Sequence, residues 1–180
     1  MKLSERVERL EGPDREIDAE IMFDLYAKPC GVSKKDGGPI GYLWPEDNPS
    51  WSFGIRFPDR NRGWFAEQRR AGDGERLLIE RDGALVLMND LRVPPLTASL
   101  DAAMTLVPEG FVLHNLQETP TIVHEEHTGW EPLPNWQATL LRQDCAGYRN
   151  RKKFMQAFEH GGGNTAAIAL CAAALKARGL

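Results

Sequence analysis

Arginines and aromatic residues alternate along one segment of the chain, residues 51–70. Arginine pairs with phosphate through two parallel hydrogen bonds, and an aromatic face stacks on a nucleobase, so the mixture favours a nucleotide-like ligand. A core strand with its aromatic residues inward and its arginines in solvent explains the same pattern. Under the ligand interpretation, we expect the binding residues to be Trp51, Arg56, Arg60, Arg62, Trp64 and Arg69.

A second chemical feature is the run His160-Gly161-Gly162-Gly163-Asn164-Thr165, which precedes an apolar segment of helical character. Glycines let backbone amides approach an anion, and the first turn of a helix presents unpaired N–H groups. The run therefore predicts an anion-cradling loop with contacts at Gly162, Asn164 and Thr165. The alternative is a flexible connection followed by an ordinary helix cap.

Sequence patterns that could indicate catalysis are less specific than these two binding patterns. The strand-turn-helix motif GxSxG is absent, and Cys171 lies in an apolar stretch that favours burial. The segment His124-Glu125-Glu126-His127, with His114 before it, allows a metal site, but its His spacing differs from that of zinc proteases and favours a solvated acidic loop. The sequence therefore predicts a protein that is not an enzyme, with no metal and no cofactor.

Composition limits the class of protein. The 180 residues are 42% hydrophobic and 27% charged, as in one globular domain, and they hold no apolar run long enough to cross a membrane. The charged amino terminus differs from a secretory leader, and three scattered cysteines differ from a disulfide framework, so we expect a cytoplasmic protein. Residues 93–141 contain no Lys or Arg and six acidic residues, which argues against general nucleic-acid binding.

The elements that must position these residues follow from hydrophobic periodicity. Apolar residues recur at helical spacing near residues 3–10 and 14–25, after Ser99, and in the Ala-rich segment after Thr165. Asp82-Gly83 predicts a hairpin turn between two strands. Strand patterns occupy residues 51–57, 77–80, 84–88, 111–117, 120–124 and 135–143.

This order of elements predicts an α+β fold, in which an antiparallel sheet of about six strands is covered by three to four helices. We expect a single domain over residues 1–180. Its long irregular insertion spans about residues 28–75, where Gly, Pro, Asp and Asn are dense.

Three blocks resemble a family of small bacteriophage and prophage proteins described as an α-β-α sandwich domain: SERVERLEGPDREIDAEI, TASLDAAMTLVPEG and TAAIALCAAALKARG. They cover about a quarter of the chain in the family's order. Ala166 stands where family members often have Pro, and the 28–75 insertion is unusually long. The resemblance implies a phage-encoded accessory protein acting inside an infected bacterium against host defence, and it supplies no catalytic residues.

Together these patterns predict a non-enzymatic protein that binds and sequesters a nucleotide-derived immune signalling molecule. We expect it to be a homo-oligomer, most simply a dimer, because a second copy would close a shallow pocket over the ligand. One alternative is a protein–protein inhibitor of a host defence effector that uses the acidic 93–141 surface to mimic nucleic acid. A small hydrolase or metal enzyme is the other.

Overall fold

The computed structural model describes residues 1–34, 36–43, 52–57, 76–81, 84–89, 93–119, 135–144 and 157–180. Within these ranges the chain forms four helices: α1 (Leu3–Glu8), α2 (Arg15–Tyr26), α3 (Leu100–Met104) and α4 (Ala166–Ala177). It also forms eight strands: β1 (Lys28–Cys30), β2 (Gly41–Leu43), β3 (Ser52–Phe57), β4 (Arg76–Arg81), β5 (Ala84–Asn89), β6 (Phe111–Glu118), β7 (Trp136–Arg142) and β8 (Phe158–Gly163). The mixed α+β class with antiparallel strands is as predicted.

The prediction of a single sheet of about six strands is wrong. The strands divide between two antiparallel sheets, one in the order β1-β2-β3-β5-β4 and one in the order β6-β7-β8. The break falls after β5, where Pro94 and Pro95 cannot donate backbone hydrogen bonds to a continuing ladder, and α3 follows before β6. Strands β1 to β5 and strands β6 to β8 therefore pair separately.

The chain forms two compact units. The first contains Met1–Asp14 and Pro95–Leu180, and the second contains Arg15–Pro94. The prediction of a single domain stays a prediction.

In the first unit, α4 packs on β7 and β8 and is contacted by α1 and α3. Its residues 167–175 are all buried, because Ala and Cys leave room for neighbouring backbone on every side. Thr165 begins this helix by accepting a hydrogen bond from the Ile168 N–H at 3.2 Å. Ser99 caps α3 in the same way, accepting from Ala102 at 3.2 Å.

In the second unit, α2 packs on β4. The Phe23 ring meets the Tyr42 ring edge-on with centroids 4.5 Å apart, and the Arg81 guanidinium lies 5.6 Å from the Phe23 ring centroid. Arg81 also pairs with Asp24 at 3.0 Å and Glu20 at 3.3 Å. The hairpin predicted at Asp82-Gly83 is present as the β4–β5 pair, although these two residues lie outside the described ranges.

Two differences from the sequence expectations concern local structure. The sequence predicts a long irregular insertion from about residue 28 to residue 75, whereas β1 and β2 pair within it. The glycines 161–163 were expected in a loop, whereas they end β8. The strand predicted at 120–124 lies outside the described residues.

Candidate functional site

Arg56 is one of the predicted binding arginines, and in the structure it closes the β1–β2 connection. Its Nη1 lies 2.8 Å from Asp36 Oδ2 and donates to the Pro39 carbonyl at 3.4 Å, and its side chain is only 10% exposed. The guanidinium lies over Gly38, where an added Cβ would come within 2.9 Å of it. Arg56 therefore stabilises this loop through contacts inside its own unit.

The same contacts affect Asp36. The hydrogen bond from the Ser33 hydroxyl, followed by that from Arg56, lowers the pKa of the Asp36 carboxyl below its ordinary value of 3.8, because both donors favour the charged form. The Gly38 N–H also donates to Asp36, at 3.2 Å. The Asp36 carboxylate thus binds the Arg56 guanidinium, to which the sequence interpretation assigns a ligand phosphate.

The other predicted members of the arginine–aromatic site lie outside the described residues: Trp51, Arg60, Arg62, Trp64 and Arg69. The remaining predicted contacts, Gly162, Asn164 and Thr165, belong to the first unit, at the junction of β8 and α4, whereas Arg56 belongs to the second. All of these assignments stay predictions.

At the β8–α4 junction, the polar groups of the predicted anion site have partners within the chain. The Gly162 N–H donates to Glu8 Oε1 at 3.0 Å, and Asn164 Nδ2 donates to the Leu10 carbonyl at 2.8 Å. Thr165 caps α4. The anion at the glycine run is therefore a carboxylate of the protein itself, which the sequence pattern did not reveal.

Glu8 Oε1 has a second partner, because Lys176 Nζ lies 2.6 Å from it. Through these two contacts one carboxylate joins α1 to β8 and α4.

Close packing accounts for the adjacent glycines. A Cβ on Gly161 would collide with the Ala173 nitrogen and the Ala169 oxygen, and one on Gly163 would lie 2.8 Å from the Ala169 nitrogen. The strand thus rests directly on the helix backbone, which only glycine permits.

An open cleft of about 540 Å³ lies where β6 and β7 meet the end of α4, and it is lined by Glu109, Gly110, Phe111, Arg142, Gln143, Asp144 and Ala177. Its one arginine pairs with Asp144 at 2.8 Å, and the two side chains are 47% and 58% exposed. An exposed pair of this kind contributes little binding energy.

The surface of the β6-β7-β8 sheet opposite α4 has a different character. Directly paired residues share a face of an antiparallel sheet. Most members of this face are therefore the residues that pair with Gln137, Thr139 and Leu141, together with these three. We call it the outer face; it comprises Val112, His114, Asn115, Gln117, Gln137, Thr139, Leu141, Phe158, His160 and Gly162.

Three rings meet on the outer face. The Phe158 and His160 rings are nearly parallel, with an interplanar angle of 11° and centroids 6.2 Å apart. The His114 ring meets Phe158 edge-on, with centroids 5.6 Å apart. Both imidazoles are exposed and Phe158 is half-buried.

A β-bulge places His114 among these rings. The register between β6 and β7 shifts between Leu113 and Asn115, so His114 is an extra residue in β6. Bulges of this kind redirect a side chain and are common beside functional sites. Thr139 Oγ1 lies 3.1 Å from His160 Nδ1, a hydrogen bond that orients the imidazole from the middle strand.

Sequence reasoning missed the outer face and the Glu8 contacts. The pair Phe158 and His160, two residues apart, would have indicated a shared strand face if β8 had been recognised. Nothing local in the sequence links Glu8 to Gly162, because 154 positions separate them.

Among the described residues, no three His, Cys, Asp or Glu side chains lie close enough to hold a metal ion. None of the four helices in the described ranges has the length and apolar character that crossing a bilayer requires.

Comparison with known proteins gave no match to a family model, a curated protein or a solved structure. The resemblance to the phage α-β-α sandwich family therefore stays a prediction.

Proposed function

We propose that the protein is a non-enzymatic binding protein that sequesters a nucleotide-derived signalling molecule. The observation that carries this proposal is the ring cluster His114, Phe158 and His160 on the outer face. Exposed rings on a sheet are a surface on which nucleobases stack, and stacking tolerates many bases because each has a π face. The imidazoles are accessible to a ligand in the structure.

The charge distribution agrees with binding a small ligand. Residues 93–141, which include β6 and most of β7, contain no Lys or Arg, so this region lacks the positive charge that a long phosphate backbone requires. A small ligand needs only a few phosphate contacts. The arginines predicted from the sequence to contact phosphate, Arg60, Arg62 and Arg69, stay a separate prediction.

The biological setting belongs to the same proposal. A phage-encoded protein of the α-β-α sandwich class, acting in the host cytoplasm, would counter host defence by removing the signal that activates it. We further propose a homodimer, because a second copy would cover a ligand lying on an open sheet face and increase the area it buries. Sedimentation equilibrium with and without bound ligand tests this assembly.

Isothermal titration of the purified protein against cyclic dinucleotides and ADP-ribose-type molecules tests the function. We expect a molecule of this class to bind and to be recovered chemically unchanged after the protein is heat-denatured. Recovery of a converted product would instead indicate an enzyme. Absence of binding across the panel, together with capture of a host defence protein, would overturn the proposal in favour of a protein–protein inhibitor.

A further inference from the structure

The chemistry of the outer face differs from that of a phosphate site. None of its ten residues is Asp, Glu, Lys or Arg. The face combines rings with the carboxamides of Asn115, Gln117 and Gln137. Asn115 pairs in register with Thr139, and Gln117 pairs with Gln137, which places them on this face. A phosphate bound here would meet no Lys or Arg side chain from the face itself.

This combination of groups suits the recognition of a nucleobase. A base is planar and uncharged, so it stacks on aromatic and imidazole rings, and its edge carries donors and acceptors together. Carboxamides match such an edge because Asn and Gln each offer an acceptor oxygen and an NH2 donor. The exposed Asn115 and Gln117 lie one and three positions after the bulge that places His114 beside Phe158.

We infer that the outer face binds the nucleobase of the ligand and does not bind the phosphate. The base stacks on the nearly parallel rings of Phe158 and His160, meets the His114 ring edge-on, and forms hydrogen bonds with Asn115 and Gln117. This inference rests on the proposed function, because it names the part of the ligand that this face takes. The phosphate then contacts residues elsewhere in the chain.

Histidine NMR tests the inference on the unmodified protein. The chain contains four histidines, two of which, His114 and His160, lie on the outer face. The probes are adenosine, which has a base and no phosphate, and ribose 5-phosphate, which has a phosphate and no base. We expect adenosine to shift both imidazole resonances at concentrations up to about 10 mM, where weak stacking is measurable, and ribose 5-phosphate to leave them in place.

Variants identify the rings that make the contact. We expect Phe158→Leu, which keeps apolar bulk without a ring, and His160→Gln, which keeps polarity without a ring, each to weaken adenosine binding about fivefold or more. Met104→Ala changes a side chain on α3 that is 41% exposed and serves as the matched control with unchanged binding. Thermal unfolding of each variant identifies any loss that comes from misfolding.

The outcomes separate this inference from the proposed function. If adenosine leaves both imidazoles unshifted, or if only ribose 5-phosphate shifts them, the base-binding face is wrong even when a signalling nucleotide binds in calorimetry. If adenosine shifts both imidazoles while no member of the calorimetric panel binds, the face is correct and the sequestering function is wrong.

Discussion

The charge of Asp36 makes the stability of the β1–β2 loop depend on pH. Its pKa is lowered by Ser33 and then by Arg56, so folding favours the charged carboxylate. A lowered folded-state pKa gives a stability contribution that is complete above the ordinary value of 3.8 and is lost as the pH falls through the lowered value. We expect Asp36→Asn to unfold at lower urea concentration than the parent near neutral pH, with a difference that narrows on acidification.

The control for this prediction removes the first-named cause. In Ser33→Ala the Asp36 pKa, followed by carboxyl NMR, should rise toward 3.8. A pKa that stays unchanged in Ser33→Ala would contradict the assignment of the hydroxyl as the main contact.

Glu8 gives a second prediction at this scale. Its carboxylate accepts from the buried Gly162 amide and from Lys176, and its side chain is only 29% exposed. We expect Glu8→Ala to lower the free energy of unfolding by about 1.5–3 kcal/mol, the usual range for a hydrogen bond to a charged group. Lys176→Ala removes only the ion pair and should cost less than about 1 kcal/mol.

Chemical denaturation measures both effects. Glu11→Ala removes the same charge from an exposed side chain and serves as the control. Equal losses for Glu8→Ala and Glu11→Ala would mean that the Gly162 contact contributes nothing to stability.

The packing of β8 on α4 leaves no room for a side chain at Gly161. A methyl group on Gly161 would collide with backbone atoms of Ala169 and Ala173, which cannot rotate away as side chains do. We expect Gly161→Ala to destabilise the protein by about 3 kcal/mol or more. Gly12→Ala, whose Cβ would meet no atom within 4 Å, is the matched control and should have little effect on the melting temperature.

Periodic elements were predictable from the sequence. The apolar spacing of Ile17 and Ile21 and the alternation around Asp82-Gly83 come from local patterns, and α2 and the β4–β5 pair follow them. Cys171 is fully buried, as its apolar surroundings indicated. These features depend on residues within one or two turns of each other.

The features that the sequence did not predict have no local signal. Glycine is unusual in strands, so the sequence of residues 161–163 is typical of a loop. These glycines lie in β8 because the backbone of α4 packs too closely against the strand for larger residues. β1 has three residues, one of them Pro29, which is too short for an alternation signal. The contact between Arg56 and Asp36 gives no local signal, because the two residues are 20 positions apart and Asp36 lies in an irregular segment.

At the scale of the whole molecule, one unit is inserted into the chain of the other. The two chain segments of the first unit meet where the insertion begins and ends, because the Asp14 N–H donates to Thr97 Oγ1 at 2.9 Å. The ends of the inserted unit also meet, since Arg15 Nη2 donates to the Val93 carbonyl at 2.6 Å. Hydrogen bonds thus join the chain segments on each side of the junction, between Asp14 and Thr97 in the first unit and between Arg15 and Val93 in the second.

This arrangement predicts that the first unit folds alone. Replacing residues 15–94 by a short Gly-Ser linker should leave a protein that retains α4 on the β6-β7-β8 sheet and unfolds cooperatively. Circular dichroism and urea unfolding measure this, and the linker variant carrying Gly161→Ala should lose the transition. A noncooperative unfolding curve for the linker variant itself would show that the first unit depends on the inserted one.

The same connectivity sets an order of events during synthesis. Residues 15–94 are continuous, so the inserted unit can fold while the remainder of the chain is still on the ribosome. The first unit must wait, because α1 packs on α4 and the Ser4 hydroxyl bonds to the carbonyl of Leu180, 176 positions later. Until residues 166–180 emerge, α1 has no helix to cover its apolar side chains, and a translational pause before residue 166 would prolong their exposure.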